Sequence, residues 1–237
     1  MSTLWIFGDS FCSEVDLNSH ENNNSLKYMN YMGVDKFDTW SNLLSKKLNF
    51  ELKNLACGGS SNYQIFQDFC EVCHLIKPND IVIVGWGLVS KFRISIDNKF
   101  ENIHPNNLKD YDNISKDTLE DIVSNRLNVE NKDFWAHEVY SWEVAMNNLS
   151  NNKGYKIFFW STEENRLIYR ENILFKDGKK YLCKDSQVNL IQHLKELGCT
   201  SISDDTNNLV GDSHFGINGH KKQSEIFYDE IMKYNNE

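Results

Sequence analysis

Leu4-Trp5-Ile6-Phe7-Gly8-Asp9-Ser10-Phe11 is a run of apolar, strand-forming residues that stops abruptly at Gly-Asp-Ser, close to the N-terminus. An almost wholly apolar run of this kind suits a strand buried on both faces, as in a parallel sheet covered by helices. In open α/β sheets the chemistry sits just beyond the carboxyl ends of the strands. Ser10 stands at that point, after a glycine that permits a tight turn, which makes it a candidate nucleophile. Ordinary turns use the same three residue types. The matter therefore turns on whether the chain also supplies a base, an orienting acid and oxyanion donors.

Working outward, the strand–glycine pattern recurs. Glu51 to Cys57 reads as a short second strand ending in Gly58-Gly59-Ser60-Ser61-Asn62, which leads into a helix over Tyr63–Ile76. Backbone N–H groups at such a helix start form an anion site. Ile81-Val82-Ile83-Val84 is the clearest buried strand, and it ends in Gly85-Trp86-Gly87. Lys156 to Trp160 is a fourth buried strand, and Cys199 to Ser203 a short fifth. Between them, Asp38 or Thr39 caps a helix carrying Trp40, Leu43, Leu44 and Leu48. A long amphipathic helix runs from Asp133 to near Asn151–Gly154, another spans Val188 to Leu197, and a last one carries Ile226, Phe227, Ile231 and Met232. Strands alternating with helices predict an α/β sandwich around a mostly parallel sheet of about five strands. One domain over 1–237 is expected, with polar insertions around 13–37, 91–131 (holding a helix near Leu119–Leu127) and 163–186.

The 237 residues are enough for one such domain with a good core. A hydrophobic content of 40% and an aromatic content of 13% belong to a folded chain. The formal net charge is −9 and no Lys/Arg run forms a basic stripe, which argues against nucleic acid or an anionic membrane surface as partner. The N-terminus enters the apolar run without a basic region or a small-residue cleavage site, so a cytoplasmic location is expected. Reduced, buried thiols are expected for Cys12, Cys57, Cys70, Cys73, Cys183 and Cys199. Cys70-Glu71-Val72-Cys73-His74 matches the haem-attachment pattern C-x-x-C-H. It lies inside a helical repeat, however, so both cysteines are expected to face the core, and no cofactor or metal is expected.

Three elements remain to be joined: Ser10, the pair Asp212 and His214, and the glycine-marked exits. A serine hydroxyl needs a neighbouring imidazole to remove its proton, and a carboxylate on the far ring nitrogen fixes the tautomer. Asp212 and His214 lie two apart, so one loop can present both. Backbone N–H groups at Ser10 and Gly59 would hold a developing oxyanion. Gly8-Asp9-Ser10, Gly59, the break after Ile81–Val84, and Asp212-Ser213-His214 followed by Gly219-His220 resemble, in that order, the SGNH (GDSL-type) hydrolase family.

The resemblance implies a flavodoxin-like three-layer sandwich and hydrolysis of an ester through an acyl-enzyme. It makes Ser10 the nucleophile, His214 the base, Asp212 the orienting acid and Gly59 an oxyanion donor. Two positions depart from the family pattern. Gly211 stands where the acid of Asp-x-x-His belongs, leaving Asp212 at a shorter spacing. Gly85-Trp86-Gly87-Leu88 stands where the family has Gly-x-Asn-Asp, so Asn62 or two backbone donors would have to serve. Trp86, Gly87, Ser90 and Arg93 follow the third strand and are candidates for lining a substrate cleft, with Trp86 equally suited to the core. Polar, Asn-rich overhanging segments point to a small acyl or acetyl ester, on a carbohydrate more than on a lipid. The alternatives are a weak or inactive binding module on the same fold, and an acyltransferase using the same serine and histidine.

Overall fold

The computed structural model describes residues 1–14, 37–87, 91–96, 99–103, 108, 114–127, 129–161 and 215–236. Within them β1 (Thr3–Gly8), β2 (Glu51–Asn54), β3 (Ile81–Trp86) and β6 (Lys156–Ser161) form one parallel sheet in the order β2-β1-β3-β6. Two further strands, β4 (Phe92–Ile96) and β5 (Lys99–Ile103), form a separate antiparallel hairpin. The helices are α1 (Trp40–Leu48), α2 (Asn62–Val72, extended by a 3₁₀ turn Cys73–Leu75), α3 (Lys116–Leu127), α4 (Val129–Lys153) and α5 (Ile217–Asn236). The predicted helix over 188–197 and fifth strand over 199–203 lie outside the described residues.

Alternation of side chains across the strands sorts the core into two layers. Leu4, Ile6, Ile81, Ile83, Phe158 and Trp160 face α1 and α5, meeting Trp40, Leu44, Phe227 and Ile231. Trp5, Phe7, Val82, Val84, Trp86, Ile157 and Phe159 face the other way, onto Ile65 and Phe69 of α2 and Val139 and Met146 of α4. The sheet is therefore the middle of a three-layer α/β sandwich. This is why β1 and β3 read as unbroken apolar runs: every residue in both is buried. Each large apolar side chain removed from water contributes about 1.5–3 kcal/mol.

The end of the sheet opposite the strand exits is fastened by Asp80, a buried carboxylate in the turn before β3. It accepts the Thr3 N–H at 2.9 Å, the Trp5 indole N–H at 3.0 Å and the Lys77 N–H at 3.0 Å. The turn itself closes through Asn79, whose φ of 69° is in the left-handed region that asparagine tolerates.

Two expectations are corrected. The stretch after Lys91 is not only a polar segment with one helix, because β4 and β5 pair there as a hairpin. Cys57 and Cys70 face solvent, while Cys73 is half-buried against the core, as expected, and donates its thiol to the Cys70 carbonyl at 3.3 Å. The buried stripe of α2 runs through Ile65 and Phe69, and Cys70, one residue on, is turned about 100° away from it. Among the described residues, no helix is long and apolar enough to cross a membrane.

Candidate active site

β1 leaves the sheet through a turn built on Asp9. Its carbonyl accepts the N–H groups of Cys12 at 2.9 Å and Ser13 at 3.0 Å, and its Oδ1 accepts the Phe11 N–H at 3.1 Å. These bonds wind the chain once and leave Ser10 half-exposed at the carboxyl end of an inner strand. Cys12, by contrast, folds back beneath the turn and is 1% exposed.

Gly8 and Gly85 are cross-strand partners, and their bare Cα atoms make the space that Cys12 fills. A Cβ on either would lie 2.4 Å from the Cys12 Sγ. Burial and, after it, the charge of Asp9 push the Cys12 thiol well above the ordinary thiol range, so it stays protonated. These two glycines serve packing.

The loop after β2 is different. Its ladder with β1 continues through Leu55 N–H to Ile6 O (2.8 Å) and Cys57 N–H to Gly8 O (3.1 Å), which brings the glycine pair alongside the Ser10 turn. A Cβ on Gly58 would lie 3.9 Å from the Ser10 Cβ. Gly59 has φ +82° and open space around it. Ser61 then caps α2, its hydroxyl accepting the Gln64 N–H at 3.3 Å.

Asn62, at the first position of α2, is buried. Its Oδ1 accepts the Gly87 N–H at 2.9 Å, and its Nδ2 donates to the Gly87 carbonyl at 3.3 Å. The amide thus holds the peptide on which β3 leaves the sheet. Gly87 also admits the Asp9 side chain, since a Cβ there would lie 2.7 Å from the Asp9 Oδ2. That oxygen accepts from the Lys91 ammonium at 3.0 Å, a pair in which both side chains are buried.

Trp86 does not line a cleft with its ring. The indole is 1% exposed, stacked on Phe159 and tilted against Trp142, and its N–H donates to Glu143 of α4 at 2.6 Å. The inner face of β3 leaves no other direction for an even-numbered side chain at that position. Arg93, on β4, donates to the Gln67 side chain at 2.8 Å and lies over the Phe100 ring, 4.6 Å from its centroid. Its cross-strand partner Asn102 donates to Gln64, so the hairpin is bound to α2 by two contacts one helical turn apart.

Of the residues singled out in the sequence, Ser10, Gly59, Asn62, Gly85, Gly87 and Arg93 thus gather at or near the carboxyl edge of the sheet. Ser90, Asp212 and His214 lie outside the described residues. Phe215, the next residue after His214, packs edge-on against Phe11 with ring centroids 5.9 Å apart. His220 is buried at the start of α5, and its Nδ1 accepts the Trp40 N–H at 3.3 Å, so it caps α1. Sequence reasoning missed Lys91 and the use of Asp9 as its partner. No local pattern signals an ion pair between residues 82 apart. Among the described residues, no group of three or more His, Cys, Asp or Glu side chains is arranged to hold a metal ion.

No protein-family model matches the chain, and no curated protein sequence matches it. Among solved structures it is similar to protein YXIM of Bacillus subtilis, with a TM-score of 0.52 and 15% identity over 99% of this chain and 57% of that one. It is also similar to a protein described as lipolytic, of the G-D-S-L family, from Desulfitobacterium hafniense (TM-score 0.46, 11% identity, 97% and 99% covered). A third is described as a GDSL-like lipase from Parabacteroides merdae (TM-score 0.45, 10% identity, 98% and 95% covered). The chain spans little more than half the length of the Bacillus subtilis protein, and the likeness to it is one of fold.

Proposed function

We propose that this protein is a serine hydrolase of the SGNH type that cleaves a small acyl ester through a covalent intermediate on Ser10. The observation that carries the reading is the contact between Phe11 and Phe215. One residue before each of these rings stand Ser10 and His214. Consecutive Cα atoms are about 3.8 Å apart, and the contact between Phe11 and Phe215 at the exit of β1 supports reading their chain neighbours Ser10 and His214 as partners. Supporting it, Ser10 is half-exposed at the carboxyl end of an inner parallel strand, where such sheets carry their chemistry.

In this mechanism the Ser10 Oγ attacks the ester carbonyl carbon while His214 takes its proton, and Asp212 orients the imidazole. The carbonyl oxygen becomes an oxyanion held by the N–H groups of Ser10 and Gly59. Collapse breaks the bond to the alcohol oxygen, which leaves with the proton from His214. A water molecule, giving a proton to His214, then attacks the acyl group, releasing the acid and returning the proton to Ser10. With the Asn62 amide engaged by Gly87, two backbone donors carry the oxyanion. Small acetyl esters on polar alcohols such as carbohydrates are the substrate class proposed. Hydrolysis of a short-chain aryl ester by wild type and by Ser10→Ala tests the reading. Loss of at least about a thousandfold in kcat is expected, and equal activity would sink it.

A second reading, a binding module with little turnover, is favoured by that same engagement of Asn62. One absent oxyanion donor costs about a hundredfold or more.

A further inference from the structure

The mechanism above leaves the buried pair Asp9–Lys91 without a task, although it adjoins the nucleophile. The Asp9 carboxylate is nearly inaccessible, with one oxygen on the Phe11 N–H and the other on the Lys91 ammonium at 3.0 Å. A buried carboxylate without a countercharge costs several kcal/mol. In surroundings of low dielectric it would also oppose the growth of negative charge on a substrate oxygen beside the next residue. Lys91 cancels that charge.

The lysine is itself held in place. It immediately precedes β4, and the hairpin it begins is bound to α2 through Arg93–Gln67 and Asn102–Gln64. α2 in turn starts from the loop that brings Gly58 beside Ser10. Gly87 completes the arrangement by lacking the Cβ that would strike the Asp9 Oδ2 at 2.7 Å. The ammonium, the carboxylate and the serine turn are therefore joined by one chain of contacts.

We propose that Lys91 is a positioning residue for the Ser10 chemistry: through its ion pair it neutralises the carboxylate beside the nucleophile and holds the turn that presents it. This rests on Ser10 being the nucleophile. The test is kcat and KM for a short-chain aryl ester in wild type, Ser10→Ala, Lys91→Met, Lys91→Arg and the double variant Asp9→Asn/Lys91→Met, with thermal unfolding alongside. Lys91→Met is expected to lose about a hundredfold in kcat with KM within about threefold of wild type. Lys91→Arg restores most of the loss. The double variant, which removes both charges, turns over at least about tenfold faster than Lys91→Met.

A folded Lys91→Met with wild-type kcat overturns the proposal, as does a double variant no faster than Lys91→Met. If Lys91→Met does not fold, the double variant decides: kcat within about tenfold of wild type supports the proposal, and any larger loss overturns it. Equal activity in wild type and Ser10→Ala would instead remove the Ser10 reading, and this proposal with it.

Discussion

The exits of β1 and β3 and the loop after β2 carry the same signature, glycine close to the end of a strand, and put it to opposite uses. Gly8 and Gly85 sit opposite one another and are sealed by Cys12. Gly58 and Gly59 lie open beside Ser10, with nothing within 4 Å of a Cβ on Gly59. A glycine at a strand end therefore marks a close approach or a special backbone angle. Which of the two it marks depends on what the fold brings against it. Here the closed pair supports the serine turn from below, and the open pair borders it from above.

The sharpest way to break this contrast is Gly85→Ala. The new methyl would stand 2.4 Å from the Cys12 Sγ and 2.7 Å from the Trp160 Nε1, inside a packed core. A loss of about 3 kcal/mol or more is expected, read as a lowered urea midpoint. An unchanged midpoint would mean that the thiol is not seated there. Gly87→Ala comes next, because its methyl meets one side chain, that of Asp9, where a methyl on Gly85 would strike two. About 1–2 kcal/mol of stability should go, and kcat should fall about tenfold as Asp9 is pushed off Lys91. Stability lost without kcat would detach the ion pair from the chemistry. Gly59→Ala is the mildest of the three. It meets no atoms and pays only for a left-handed backbone at φ +82°, about 1 kcal/mol. Its N–H is kept, so turnover should stay close to wild type.

The layers of the fold were legible where burial on both faces leaves no choice. β1, β3 and β6 are solid apolar runs, and α1 and α5 carry their buried residues on one side. The hairpin was harder to see. Phe92-Arg93-Ile94-Ser95-Ile96 does alternate as a strand should, but it is short and surrounded by polar residues. Its pairing is secured by Gln64 and Gln67 of a helix some 26 to 38 residues away. The candidate site was legible only as a set of residue types at the strand exits. Ser10 stands out because a strand end and a turn signal coincide there. Trp86 could not be separated into core or cleft without knowing that Glu143 waits on α4 to accept its N–H. Asn62, proposed as a donor to substrate, turns to the Gly87 peptide for a reason that only the β3 exit supplies. Tertiary partners decide such residues, and local sequence does not name them.

The central claim is that Ser10 is an activated nucleophile. Treating the folded protein with a fluorophosphonate and locating the adduct by peptide mass spectrometry tests it most directly. One adduct per chain on Ser10, and none on Ser10→Ala, is the predicted result. A wild-type chain that remains unlabelled, or a label on another residue that persists in Ser10→Ala, would contradict it.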